Sequence, residues 1–280
     1  MKLAIDIPNF GHWGDPRQVV ALARNIEDAG WDGLSLWDHI YVFEGNVVAD
    51  PWVTLGAVAD ATKRLTLMTM VTPLPRRRPW QVAREAVTLD QLSGGRFVLG
   101  VGIGHPPGPE LATFGQETDP KRRAAMLDEG LDILAGLWSG ERFSHDGDFY
   151  TIEPVTFAPT PVQQPRIPVW VAATWPNRRP FRRAARWDGV APLVADPEAE
   201  FRPPEPDELA PILRYVAEHR DTDAPFDVTV SAYLPPGGEG AERAAAYAEA
   251  GVTWLRDLWG PWRNEPFEAW LDRVQQGTPG

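Results

Sequence analysis

Cysteine is missing altogether from the 280 residues, which excludes disulfides, thiolate nucleophiles and cysteine-held metals. Positive charge is also short. Against 39 Asp and Glu stand 27 Lys and Arg, a net charge of −12. Such a surface does not neutralise nucleic-acid phosphates or anionic lipid, so neither nucleic acid nor a membrane is an expected partner. Any anionic ligand needs a local basic patch. No apolar run reaches the roughly 20 residues that cross a bilayer. The start, Met1 to Pro8, carries an acid and a proline instead of the apolar run of a signal peptide. A cytoplasmic address is expected. The five histidines contain no His-x-His or His-x-x-x-His pair, so no metal site is expected.

What is present is an ordinary globular balance, 43% hydrophobic and 24% charged. The thirteen tryptophans are unusual; aromatic bulk can fill a core or line an apolar pocket. Strand-like runs alternate with amphipathic helical stretches in eight pairs, the pattern of βα units around a parallel sheet. The strands are Lys2 to Pro8, Gly33 to Trp37, Leu65 to Val71, Arg96 to Gly102, Ile167 to Ala173, Asp188 to Leu193, Phe226 to Ala232 and Val252 to Leu258. Helices fall between them: prolines 16, 51 and 79 open three, Lys121 to Trp138 carries a leucine stripe, and Glu265 to Val274 closes the chain. The fold class is α/β, a single (β/α)8 TIM barrel over residues 1–280. Arg142 to Phe157 reads as a hairpin excursion, Gly104 to Pro120 as a Pro/Gly-rich loop and Ala195 to Pro206 as a second loop.

Barrel enzymes work at the carboxyl ends of their strands. His12, His39 and His105 fall there, after strands one, two and four. The Asp38-His39 pair is either a hydrogen-bonded structural unit or a catalytic one. A glycosidase needs two facing carboxylates, and the ends of strands four and seven supply none directly. Gly100-Val101-Gly102-Ile103-Gly104 has its third glycine too early for a dinucleotide loop, yet lets a planar ligand approach the backbone. Arg76-Arg77-Arg78 and the run Arg178, Arg179, Arg182, Arg183, Arg186 are the counter-charges available to an anionic cofactor.

Four motifs in order extend this reading: Asn25 to Asp32 leading to Trp37-Asp38-His39; Leu65 through Thr72-Pro73 to Pro79; Asp90 to Arg96 with Gly100-Val101-Gly102; and Pro168 to Ala173. Over roughly residues 1–193 the chain resembles the luciferase-like monooxygenase superfamily, barrel oxidoreductases that use flavin or deazaflavin. The resemblance implies a non-prolyl cis peptide at Thr69-Met70 backing the cofactor ring, with Asp38, His39 and Thr72 beside it. Gly102 and Gly104 would line the ring's approach, and Ala172, Ala173 and Thr174 the phosphate arm. His39 would donate a proton or orient the ring, Asp38 would fix its tautomer, and His105 would be a third catalytic group. His105 stands where sugar-phosphate deazaflavin dehydrogenases carry glutamate. Near Ile103 the arginine of bacterial luciferase is absent, so the cofactor expected is F420 ahead of FMN. The activity implied is hydride transfer to or from a small organic substrate, in a homodimer. An FMN monooxygenase using O2 and a flavin-binding barrel without turnover are the alternatives.

Overall fold

A computed structural model describes residues 1–105, 109–235, 237–258 and 266–279. Eight parallel strands close into a barrel: β1 (Lys2–Ile7), β2 (Gly33–Leu36), β3 (Thr66–Pro73), β4 (Phe97–Gly102), β7 (Val169–Trp175), β8 (Gly189–Asp196), β10 (Asp227–Ala232) and β11 (Trp254–Leu258). Closure comes from β11 pairing with β1 and from β8 pairing with β10. The connecting helices are α1 (Pro16–Asp28), α2 (Pro51–Ala61), α3 (Pro79–Ser93), α4 (Pro109–Thr113), α5 (Pro120–Trp138), α6 (Arg178–Ala185), α7 (Leu209–Ala217), α8 (Gly238–Glu249) and α9 (Phe267–Gln275). Glu265, the expected start of the last helix, lies outside the described residues.

Local chemistry sets these boundaries. Asp15, Asp50 and Asp119 each accept a hydrogen bond from an amide of the first turn, with proline next in the chain. Each thereby satisfies an orphan donor at a helix start. Helix α3 stops at Gly94, whose φ of 67° suits the left-handed cap.

Two excursions leave the barrel. The expected hairpin forms from β5 (Arg142–Asp146) and β6 (Thr151–Thr156), antiparallel and with a bulge between Phe143 and His145. The segment expected as a loop from Ala195 is different: β8 runs on to Asp196 and turns back into β9 (Glu200–Arg202), paired antiparallel to it. Bonds from Arg202 to Glu208, at 2.7 Å, hold this flap against the start of α7. The expected loop from Gly104 to Pro120 likewise contains α4.

Alternation along the strands divides the side chains into two layers. One set packs outward against the helices and makes the main core. The other enters the lumen, where Ala4, Met68, Val98, Trp170, Ala191 and Trp254 form an apolar floor. The floor closes only because Gly189 has no side chain: a Cβ there would lie 2.4 Å from Trp170 Cδ1. Truncating Trp170, fully buried in this floor, would cost about 3–5 kcal/mol. The carboxyl ends of the strands lie above this floor.

Candidate active site in the barrel mouth

Asp38 and His39 leave β2 consecutively, so their side chains diverge. The Asp38 carboxylate, buried, accepts from Trp52 Nε1 at 3.0 Å and from the Thr72 hydroxyl at 2.9 Å on one oxygen. Its other oxygen meets Arg76 and, at 3.1 Å, Arg77. The His39 imidazole turns instead to Glu110 on α4, with Nδ1 3.3 Å from Oε2. Asp38 therefore does not fix the His39 tautomer, contrary to the sequence expectation. Glu110 stands in that place, and Arg76 bridges the two carboxylates through a 2.7 Å ion pair to Glu110.

In this quartet two arginines face two carboxylates, and Arg77 also reaches Glu85 at 3.4 Å and Asp50 at 3.9 Å. Burial pushes the Glu110 carboxyl up, but the His39 hydrogen bond, the Arg76 charge and the Ile40 amide outweigh it and hold it below its ordinary value. Burial likewise acts against the charge on Arg77, and Asp38 overcomes it. Arg76 and Arg77 are consequently occupied within the protein and do not serve as counter-charges for a ligand's phosphate.

The His39 backbone is held as firmly as its ring. Asn9, buried after β1, donates to His39 O at 2.7 Å and to Ala49 O at 2.6 Å, and accepts from His39 N at 3.1 Å. Phe10 and Trp37 pack their rings 5.7 and 6.0 Å from the imidazole. One ring nitrogen faces Glu110, and the side chain keeps 26% of its exposure. That combination, a fixed imidazole with an accessible edge, suits proton transfer.

The facing wall is built of small residues. Thr69 pairs with Leu99 and Thr72 with Val101, so Met70 and Val71 bulge opposite Gly100. The non-prolyl cis peptide lies between Met70 and Val71, one residue later than expected, because the register break spans those two residues. A Cβ on Gly100 would lie 2.1 Å from Thr69 O, and one on Gly102 would come 3.0 Å from Val71 and 3.6 Å from Ala172. Ala172 thus shares this wall with Gly102.

Other expected residues separate. The Thr69 hydroxyl is buried and donates to Gly100 O at 3.3 Å, and that of Thr72 donates to Asp38, so neither hydroxyl proton is left for a ligand. Ala173 belongs to the outer core, whereas Thr174 stays half-buried at the strand end. Gly104, with φ 85°, sits in a turn whose carbonyls at 103, 104 and 105 all accept from Arg123 Nη1, at 2.7, 3.2 and 3.3 Å. His105 reaches over the end of β7 to the flap, its Nε2 3.7 Å from Glu200 and its ring 5.5 Å from Phe201. His12 is apart from this group, its ring centroid 3.8 Å from that of Phe267 and tilted by 41° to it.

Of the arginine run, Arg183 and Arg186 pair with Asp128 and Asp132 on α5, and Arg178 lies over Trp175. Arg179 and Arg182 remain exposed on α6, directly after β7. Among the described residues, no group of three or more His, Cys, Asp or Glu could hold a metal ion. No described helix is long and apolar enough to cross a membrane.

Sequence reasoning missed Asn9, Glu110, Arg76 as a bridge and Arg123. Only Glu110 left a signal, an acid within the loop that follows strand four.

Comparison with known proteins agrees with this fold. An F420-dependent glucose-6-phosphate dehydrogenase of Mycolicibacterium fortuitum is 31% identical over 248 residues, 85% of this chain and 71% of that one. The chain spans about half the length of the first curated relatives it matches, 47% to 49%. An F420-dependent secondary alcohol dehydrogenase superposes with a TM-score of 0.80 at 17% identity, covering 98% of this chain and 97% of the other. The oxygenating constituent of the FMN-containing 3,6-diketocamphane monooxygenase of Pseudomonas putida gives 0.74 at 16%, covering 99% and 96%. A family model described as luciferase-like monooxygenase matches residues 4–277, and the chain belongs to that family.

Proposed function

We propose that this protein is an oxidoreductase that binds F420 or FMN in the barrel mouth and transfers a hydride to or from a small organic molecule. The observation that carries this is the pairing of a wall without bulk, Gly100, Gly102 and Ala172, with the fixed His39–Glu110 pair. The residues fit a flat aromatic ring. A Cβ on Gly102 would come within 3.0 Å of Val71, so glycine keeps this wall flat beside the bulged backbone. The ring would lie on Gly102, Ala172 and the Met70–Val71 backbone, and its phosphate arm towards Thr174, with exposed Arg179 and Arg182 as counter-charge.

When bound, the deazaflavin or flavin supplies the hydride chemistry. The chain supplies position and a proton. Glu110, held ionised by Arg76 and the Ile40 amide, favours a proton on His39 Nδ1, which leaves Nε2 to accept or return one from the substrate. Asp38 keeps Arg76 and Arg77 in place and so acts on His39 only through Glu110. His105, over the end of β7, would meet the substrate from the flap side.

F420 stands ahead of FMN because the M. fortuitum relative is named for F420. Titration of the purified protein with each cofactor, followed by fluorescence and thermal shift, tests the reading. Preference for F420 is expected, preference for FMN with oxygen consumption points to the monooxygenase alternative, and a response to neither removes both. His39→Ala, assayed on the cofactor-loaded protein, should lower kcat by about 10²-fold or more with cofactor affinity retained. Unchanged turnover would remove the assigned role. We also propose a cytoplasmic homodimer, checked by fractionation and by light scattering on the purified protein.

A further inference from the structure

Inside the lumen lies a second charged set that the reading above leaves unused. Asp6 on β1 and Arg256 on β11 are 1% and 5% exposed, and they pair across the seam that closes the barrel. Asp6 is saturated. One oxygen accepts from the Ser35 hydroxyl at 2.6 Å and Trp37 Nε1 at 3.2 Å, the other from the Ser231 hydroxyl at 2.7 Å and from Arg256 Nη1.

Arg256 is not saturated. A guanidinium has five N–H donors; here Nε donates to the Thr229 hydroxyl at 2.9 Å and Nη1 to Asp6. Among the described residues Nη2 makes no hydrogen bond, although the side chain is almost wholly buried. Strand alternation puts Arg256 on the same face as Trp254 of the lumen floor, so this unpartnered donor is inside the barrel. Trp37 joins this set to the mouth, with its indole N–H on Asp6 and its ring 6.0 Å from His39.

Resting on the oxidoreductase reading of the mouth, we propose that Arg256 Nη2 holds the reacting oxygen of the substrate, and that the substrate is a small neutral alcohol or carbonyl compound. Asp6 already balances the arginine charge. A carboxylate or phosphate brought beside that pair would add a buried negative charge with no counterpart, whereas a neutral oxygen completes the donor set without changing the charge. On the facing wall Gly102 and Ala172 contribute no side chain larger than a methyl. A guanidinium aimed at a carbonyl oxygen also stabilises charge that gathers there as hydride arrives at carbon.

Saturation-transfer NMR with cyclohexanone as probe tests this, on the protein free and loaded with whichever of F420 or FMN it binds. Cyclohexanecarboxylate and cyclohexyl phosphate serve as anionic counterparts. Cyclohexanone should bind more tightly than either anion. Arg256→Met should weaken it about tenfold, the loss expected for one hydrogen bond to a charged donor, with cofactor affinity changed far less. Because that variant orphans Asp6, Asp6→Asn/Arg256→Met is measured beside it; it removes both charges and should keep a cooperative thermal transition while still losing the ketone. Absence of cyclohexanone binding in the wild type, equal ketone affinity in the folded double variant, or tighter binding of an anion would each overturn the proposal. A wild type that binds neither cofactor would instead end the oxidoreductase reading, a result visible in the cofactor titration alone.

Discussion

Around the barrel mouth, β1, β2, β10 and β11 carry charged and hydroxyl side chains into the lumen, whereas β3, β4, β7 and β8 carry glycine, alanine and methionine. The first half is held by closed hydrogen-bond sets: Asp6 has four donors and Asp38 has four side-chain donors, all from residues distant in sequence. The second half is held by close backbone approach, such as Gly100 against Thr69. One half therefore fails when an atom is taken away, the other when an atom is added. The proposed hydride transfer draws on both, since the charged half would fix a proton-transfer group and the bare half would face a planar ligand.

The largest effect is expected from removing charge. Asp38→Asn leaves Arg76 and Arg77 buried against one fewer anion, and breaking such a buried pair costs about 3–5 kcal/mol. Urea unfolding at neutral pH measures it. A loss below about 1 kcal/mol, the range of an exposed pair, would show that the quartet is not the unit described. On the bare half, Gly100→Ala adds only a methyl, but one 2.1 Å from Thr69 O and 2.5 Å from Met70 Sδ. Strand β4 must shift, at about 1–3 kcal/mol, and binding of a flat cofactor should fall with it. Full affinity for F420 or FMN in that variant would mean that the bulge does not support the ring.

The same contrast explains what could be read in the sequence. Alternation of strands and helices, with proline and glycine at the helix ends, displayed the barrel because those signals are local. His39 was legible for a related reason, as a polar residue directly after a strand. Partners were not. Glu110 lies 71 positions from His39 and inside a stretch whose prolines and glycines read as loop. Asp38 and His39 looked like a pair because they are neighbours in the chain, whereas neighbouring side chains leaving a strand diverge. Arg76 and Arg77 looked available to a ligand until the fold placed Asp38 against them. Arg256 left one usable signal: with Asp6 and Ser35 it occupies lumen-facing positions of three strands, and a charged residue there demands a partner or a ligand.

A smaller effect separates Glu110 from the rest of the charged half through pH. Its folded carboxyl titrates below the ordinary value of 4.5, since the His39 hydrogen bond, Arg76 and the Ile40 amide outweigh the burial that opposes them. A group depressed on folding contributes stability that is full above its unfolded value and is lost as pH falls through its folded one. Glu110→Gln should therefore be less stable than the wild type at pH 7, by about 1–3 kcal/mol, and the gap should close on acidification below 4.5. A gap independent of pH would assign the loss to packing and not to charge.

The smallest expected change tests the flap, which lies within the bare half, over the end of β7. Among the described residues Glu200 alone has a positive φ without being glycine, at 67°, and its carboxylate faces His105 at 3.7 Å. A side chain in that backbone region costs about 1–2 kcal/mol, so the contact is kept at the expense of local comfort. Glu200→Gly relieves the backbone and deletes the contact together. If the pair matters only to folding, the two effects offset and neither stability nor kinetics moves. If His105 and Glu200 close the mouth over the substrate, stability holds or rises by about 0.5–1 kcal/mol while KM increases, and Glu200→Asn, which tolerates the same φ, keeps the stability without restoring KM. Thermal unfolding and steady-state kinetics on the same samples distinguish these outcomes, because a merely structural contact cannot raise KM in a protein that has become no less stable.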